Sequence, residues 1–193
     1  MSINLLQTVQ QNLGYPVIKK IDPNTQHAAT DGYAHQEDKF SQAAIPAVLI
    51  GFYRYVLTDE CAANFIQNDQ SFNWIDAIFN DKKNEAVQAV AAYAAQTDEY
   101  TVEKMNAIAI ETVLQVKKYL PATADIKEVK AFFNHQKNNI LLHLPADLKM
   151  GELLNDNTLD DNTNKMEGSL SSLMQTIATA FSANATEEEI KSK

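Results

Sequence analysis

The segment that most constrains this chain runs from Phe40 to Leu57, FSQAAIPAVLIGFYRYVL. It is apolar on every side, carries no charge from Ala43 to Tyr53, and holds both Pro46 and Gly51 before Arg54 interrupts it. A bilayer-crossing helix needs about 20 apolar residues, so this run is too short and is expected inside a globular core. A helix that is apolar all round must be surrounded by others, which predicts an all-α, multihelical orthogonal bundle around one or two buried central helices. Pro46 breaks the local rules of such a helix. It removes a backbone donor and costs on the order of 3 kcal/mol, and Gly51 adds about 1 kcal/mol. The expected reason is a kink that lets neighbouring helices cross closely.

Composition agrees with long helices. In 193 residues there are five glycines and five prolines, too few for a turn-rich sheet protein, while 45% apolar content suffices for a core. The formal charge of −9, from 16 basic and 25 acidic residues, disfavours nucleic acid and anionic lipid surfaces. Cys61 is the only cysteine, so no internal disulfide is expected. The opening MSINLLQTVQQNL has neither a positive n-region nor an unbroken apolar run. No signal peptide and no membrane insertion are therefore expected, and the expected location is cytoplasmic.

Along the chain, Leu5, Leu6, Val9 and Leu13 predict a first amphipathic helix stopped by Gly14. Pro16 predicts the first turn of a second short helix carrying Val17, Ile18 and Ile21. Residues 22–38 read as a polar surface loop. After the central helix, Thr58 is the expected cap of a segment with Cys61, Ala62, Phe65 and Ile66, and Ser71 of one with Phe72, Trp74, Ile75, Ile78 and Phe79. Residues 84–96 predict an alanine-rich helix. The next helix places Val102, Met105, Ala109, Val113, Val116 and Leu120 on one face and Lys104, Glu111, Gln115 and Lys118 opposite, and Pro121 stops it.

From Asp125 to Leu144, helical character is expected with a break near Lys137-Asn138-Asn139, and Pro145 opens a short turn of helix ending near Leu154. This sets a domain over 1–154. A polar loop over 155–165, an amphipathic helix over 166–182 packing on the domain, and a frayed tail over 183–193 complete the expected organisation. Phe40–Leu57 and Lys104–Pro121 invite comparison as an internal duplication, with Tyr55 opposite Tyr119. The identities are few, and any two core helices share such a pattern, so separate origins are expected.

Two stretches resemble the YidB-like bacterial proteins, a family of unknown function. The first is Ala44-Ile45-Pro46-Ala47-Val48-Leu49-Ile50-Gly51, after the leader NLLQTVQQNLGYPVIKKI. The second is Gln136-Lys137-Asn138-Asn139-Ile140, followed by Leu144-Pro145-Ala146-Asp147-Leu148-Lys149-Met150-Gly151. The resemblance covers roughly residues 3–154. It implies a multihelical domain around buried central helices and carries over no catalytic residues.

Few residues point to chemistry. Asp156, Thr158, Asp160, Asn162, Asn164 and Glu167 fall at positions 1, 3, 5, 7, 9 and 12 of a calcium loop, but Asp161 occupies the position that needs glycine. The expected role is instead a cap, with Asn164 and Glu167 forming a capping box. His27, Asp31, His35, Glu37 and Asp38 share one segment, but seven residues separate the histidines, unlike closely spaced zinc ligands. His135 and His143 lie eight apart, with the expected break between them. Cys61 stands near a helix N-terminus, which favours thiolate, while Asp59 and Glu60 oppose it.

No Walker loop, dinucleotide fingerprint, nucleophile elbow or His-Glu-x-x-His segment occurs. No catalytic residue, metal or cofactor is expected. The leading expectation is a non-enzymatic helical protein acting through contacts with another protein or with itself. The alternatives are a binding module for a small apolar ligand, walled by Tyr53, Tyr55, Trp74 and Phe133, and a calcium-stabilised helical protein.

Overall fold

A computed structural model describes residues 3–21, 36–156 and 159, all within one unit spanning Met1–Asp160. The described residues form an all-α bundle. Its helices are α1 (Leu5–Asn12), α2 (Gln36–Tyr55), α3 (Asp59–Gln67), α4 (Trp74–Phe79), α5 (Lys83–Ala94), α6 (Asp98–Tyr119), α7 (Ile126–Leu141) and α8 (Met150–Leu153), with short 3₁₀ turns at Asn80–Lys82 and Ala146–Leu148.

Helix α2 is the axle. Every residue from Phe40 to Tyr53 is buried, and the helix touches α1, α4, α5, α6 and α7. A helix sheathed on so many sides has no polar face, as its sequence requires. It begins at Gln36, earlier than the expected polar loop allows, because Glu37 and Asp38 suit the positive end of the helix dipole. The chain then bends by 115° into α3. No single described helix is long and apolar enough to cross a membrane.

Gly51 marks the closest crossing on α2. A Cβ there would stand 3.1 Å from Ile78 Cδ1 and 3.2 Å from Phe79 Cζ, so α4 rests where the side chain is missing. Pro46 lies inside α2 and leaves the Gln42 carbonyl without its helical donor. Pro46→Ala restores that bond, worth about 3 kcal/mol, but deletes buried ring carbons worth about as much with their cavity. The variant is expected to fold with an unfolding free energy, from urea titration, within about 1.5 kcal/mol of the parent. Complete unfolding would instead make the proline indispensable to packing.

An aromatic cluster fixes the far half of α2. Phe52 stacks on Phe133 of α7 at 5.9 Å, meets Phe65 of α3 edge-on at 6.0 Å, and touches Trp74 of α4 at 5.6 Å. Four helices thus meet at one ring. Trp74 also satisfies its indole, donating from Nε1 to the Asp69 carbonyl at 2.8 Å.

The caps follow local chemistry, with one shift. Thr58 caps α3 by accepting the Cys61 amide at 3.2 Å, and Asp125 with Glu128 forms a reciprocal capping box on α7. Helix α4 is capped by Asn73, not Ser71. Ser71 is spent one turn earlier, where its amide and hydroxyl both donate to the Asp69 carboxylate. The expected break at Lys137-Asn138-Asn139 is absent, and α7 runs through it. Ile140 and Leu141 continue the buried face beyond those polar residues, so packing overrides their weak propensity.

The segment after Gly14 also departs from expectation. Residues 15–20 are not helical but form an irregular strap held to α2 and, through Ile21, to the end of α7. Ile18 and Ile21 turn inward while Val17 stays exposed. Two glutamine amides replace a helix's own hydrogen bonds. Gln42 of α2 accepts the Lys19 amide at 2.8 Å and donates to the Lys19 carbonyl at 2.9 Å and to the His143 carbonyl at 2.8 Å. Gln136 of α7 accepts the Leu5 amide at 3.0 Å and donates to the Ile3 carbonyl at 2.9 Å. Each side chain acts as a peptide group, pairing an arm of the chain as a sheet neighbour would. The Ile21 amide then donates to the Leu142 carbonyl at 2.8 Å.

The segments compared as a duplication lie in α2 and α6. They share helical structure but not surroundings, since α6 keeps one wet side with Ile110, Leu114 and Tyr119 exposed. The core also reaches past the expected domain limit at 154, because Leu159 is buried within it. The expected helix 166–182 and tail 183–193 lie outside the described residues.

Candidate functional site

A groove of about 790 Å³ runs along α7. Its floor is one helical stripe, Glu128, Ala131, Phe132, His135, Gln136 and Asn139, at the spacing that puts residues on a single face. The opposing wall is Tyr119 and Leu120 at the end of α6 near one end, and Ile3 and Asn4 before α1 near the other. From residue 128 to 139 the stripe spans roughly 16 Å of helix axis.

The groove mixes an apolar patch of Phe132, Ala131, Tyr119, Leu120 and Ile3 with the polar Glu128, His135, Gln136, Asn139 and Asn4. Tyr119 is 44% exposed and its ring lies 5.4 Å from that of Phe132. The polar groups are largely committed to structure. Gln136 holds the N-terminal arm, Asn139 donates to the Asn4 side-chain oxygen at 2.9 Å, and that oxygen also caps α1 through the Gln7 amide. The Glu128 carboxylate accepts the Asp125 amide at 2.9 Å. His135 is exposed on the same stripe. The arrangement suits burial of an apolar surface against fixed amides.

The residues singled out from sequence scatter. His135 lines the groove, whereas His143 lies beyond α7, 8% exposed, with Nδ1 2.7 Å from the Asn139 carbonyl. Burial pushes the His143 imidazole below its ordinary 6.5. Cys61 is half-buried in the first turn of α3, in a shallow depression shared with Tyr55, Glu60 and Asn64. Burial raises the Tyr55 phenol, although its hydrogen bond with Asn64 works against that.

Tyr55, Trp74 and Phe133 join the aromatic cluster around Phe52, and Tyr53 stands apart beneath the Lys137 ammonium, 5.1 Å from its ring centre. Glu37 and Asp38 belong to the first turn of α2, while His27, Asp31 and His35 lie outside the described residues. Of the calcium-loop positions only Asp156 is described. Its amide donates to the Gly151 carbonyl at 2.8 Å, and Thr158, Asp160, Asn162, Asn164 and Glu167 lie outside the described residues. Among the described residues no group of three or more His, Cys, Asp or Glu is placed to hold a metal ion.

Sequence reasoning missed the groove's organising residues, Gln136, Asn139 and Asn4. The available signal was the register of Gln136, which falls on the same apolar stripe as Val129, Phe132, Phe133 and Ile140. A polar residue at a core position must have a partner waiting for it. No family model, curated protein or solved structure matches the chain.

Proposed function

We propose that this protein is a non-catalytic interaction module whose groove along α7 receives a short amphipathic helix from another protein. The exposed aromatic wall of Tyr119 beside the single-face stripe of α7 carries the reading, since helix-in-groove recognition uses such a trough. The groove's length accommodates about three helical turns. The chain's charge of −9 opposes pairing of two copies and favours a partner with basic residues at the rim. The likeness to the YidB-like proteins at residues 44–51 and 136–151 is proposed as kinship, and it names no activity.

A photo-crosslinking residue at Ala131, exposed on the groove stripe, tests the proposal in the native cell. The same residue at Glu85 on α5 is the control. The expected result is a discrete protein adduct from position 131 only, lost when Tyr119→Arg is added. Equal adducts from both positions, or none from position 131, would overturn the reading. An adduct at twice the chain's own mass would reassign the groove to self-association.

A further inference from the structure

We propose that residues 15–21 form a releasable strap, latched by Gln42 and Leu142 while His143 is neutral and loosened when that imidazole takes a proton. The geometry couples the two events. The Gln42 amide nitrogen donates both to the Lys19 carbonyl of the strap and to the His143 carbonyl. Any movement of His143 therefore disturbs the group that holds Lys19. One residue back, the Leu142 carbonyl accepts the Ile21 amide, the last described contact before residue 22.

The histidine is placed to drive this motion. Its Nδ1–H donates to the Asn139 carbonyl and its ring is buried, so a second proton on Nε2 creates a cation with little access to water. Among the described residues, the charged group acting on it is Lys20 of the strap, which repels that cation. Helix α2 faces this junction with the uncharged Gln42, and α7 faces it with the uncharged Asn139. Lifting the strap is the direct way to hydrate the imidazolium and separate it from Lys20.

Burial holds the latched imidazole below 6.5, so the latch is fully engaged above that pH and weakens as pH falls through it. Each pH unit below 6.5 favours the open strap by at most about tenfold. Hydrogen exchange on the full chain, corrected for intrinsic rate, reads this at the Lys19 and Ile21 amides. From pH 7.5 to 5.5 their protection should fall several-fold relative to the α2 amides, and His143→Gln should abolish the difference.

Unchanged protection in the parent, or an equal fall in His143→Gln, would overturn the proposal. Should that variant not fold, the parent decides by NMR. Loss of strap protection must begin near the ordinary 6.5 and level off at the lower midpoint of the His143 ring titration, and loss confined to another pH range refutes the coupling.

Discussion

Phe52→Ala will lower the stability of the fold by about 4 kcal/mol, the upper range for a buried aromatic. Phe52 is fully buried and is the ring on which α2, α3, α4 and α7 converge through Phe65, Trp74 and Phe133. Truncation removes the transfer energy of the ring and leaves a void walled by three aromatic side chains anchored on different helices. Such walls collapse poorly, and the aromatic pairings, worth about 0.5–1.5 kcal/mol each, are lost together. Phe52→Leu keeps most of the volume and should cost less than half as much. Urea unfolding followed by circular dichroism and by Trp74 fluorescence measures both. A loss below 1.5 kcal/mol for the alanine variant would mean that the cluster is not the structural hub described above.

Gln42→Ala is expected to cost about 3 kcal/mol, although the side chain it removes is polar. Gln42 is 1% exposed and serves three backbone groups, the Lys19 amide, the Lys19 carbonyl and the His143 carbonyl. A buried group left unpaired costs about 1–3 kcal/mol, and partial lifting of the strap recovers some of that for three groups. Gln42→Glu is the sharper test. It preserves shape but sets a carboxylate oxygen against two carbonyl oxygens, so at neutral pH it should be at least as damaging as alanine. If the glutamate variant matched the parent, the amide nitrogen would not hold the strap.

These two side chains also show what the sequence disclosed. The axle was legible because an all-round apolar run has one satisfactory environment, and Thr58, Gly14 and Pro121 acted locally as they usually do. The strap was not legible. Pro16, Val17, Ile18 and Ile21 carry helix-like spacing, and what overrides it is a glutamine amide 23 residues away from Lys19. Gln42 itself was the clue, a polar residue inside an apolar helix, but its partners appear only once the chain is folded.

The break expected in α7 at Lys137-Asn138-Asn139 follows from weak propensity there, and it does not form because Ile140 and Leu141 are held by tertiary packing. The groove was hidden for a related reason. Its walls come from residues 3–4, 119–120 and 128–139, and no local pattern joins them.

Native-state hydrogen exchange along α2 tests the central claim, that this helix is the dry axle of the bundle. The amides of residues 48–53 should exchange only through global unfolding, with a denaturant dependence matching the equilibrium m value. Exchange of those amides through local opening, with little denaturant dependence and free energies well below the global value, would contradict it.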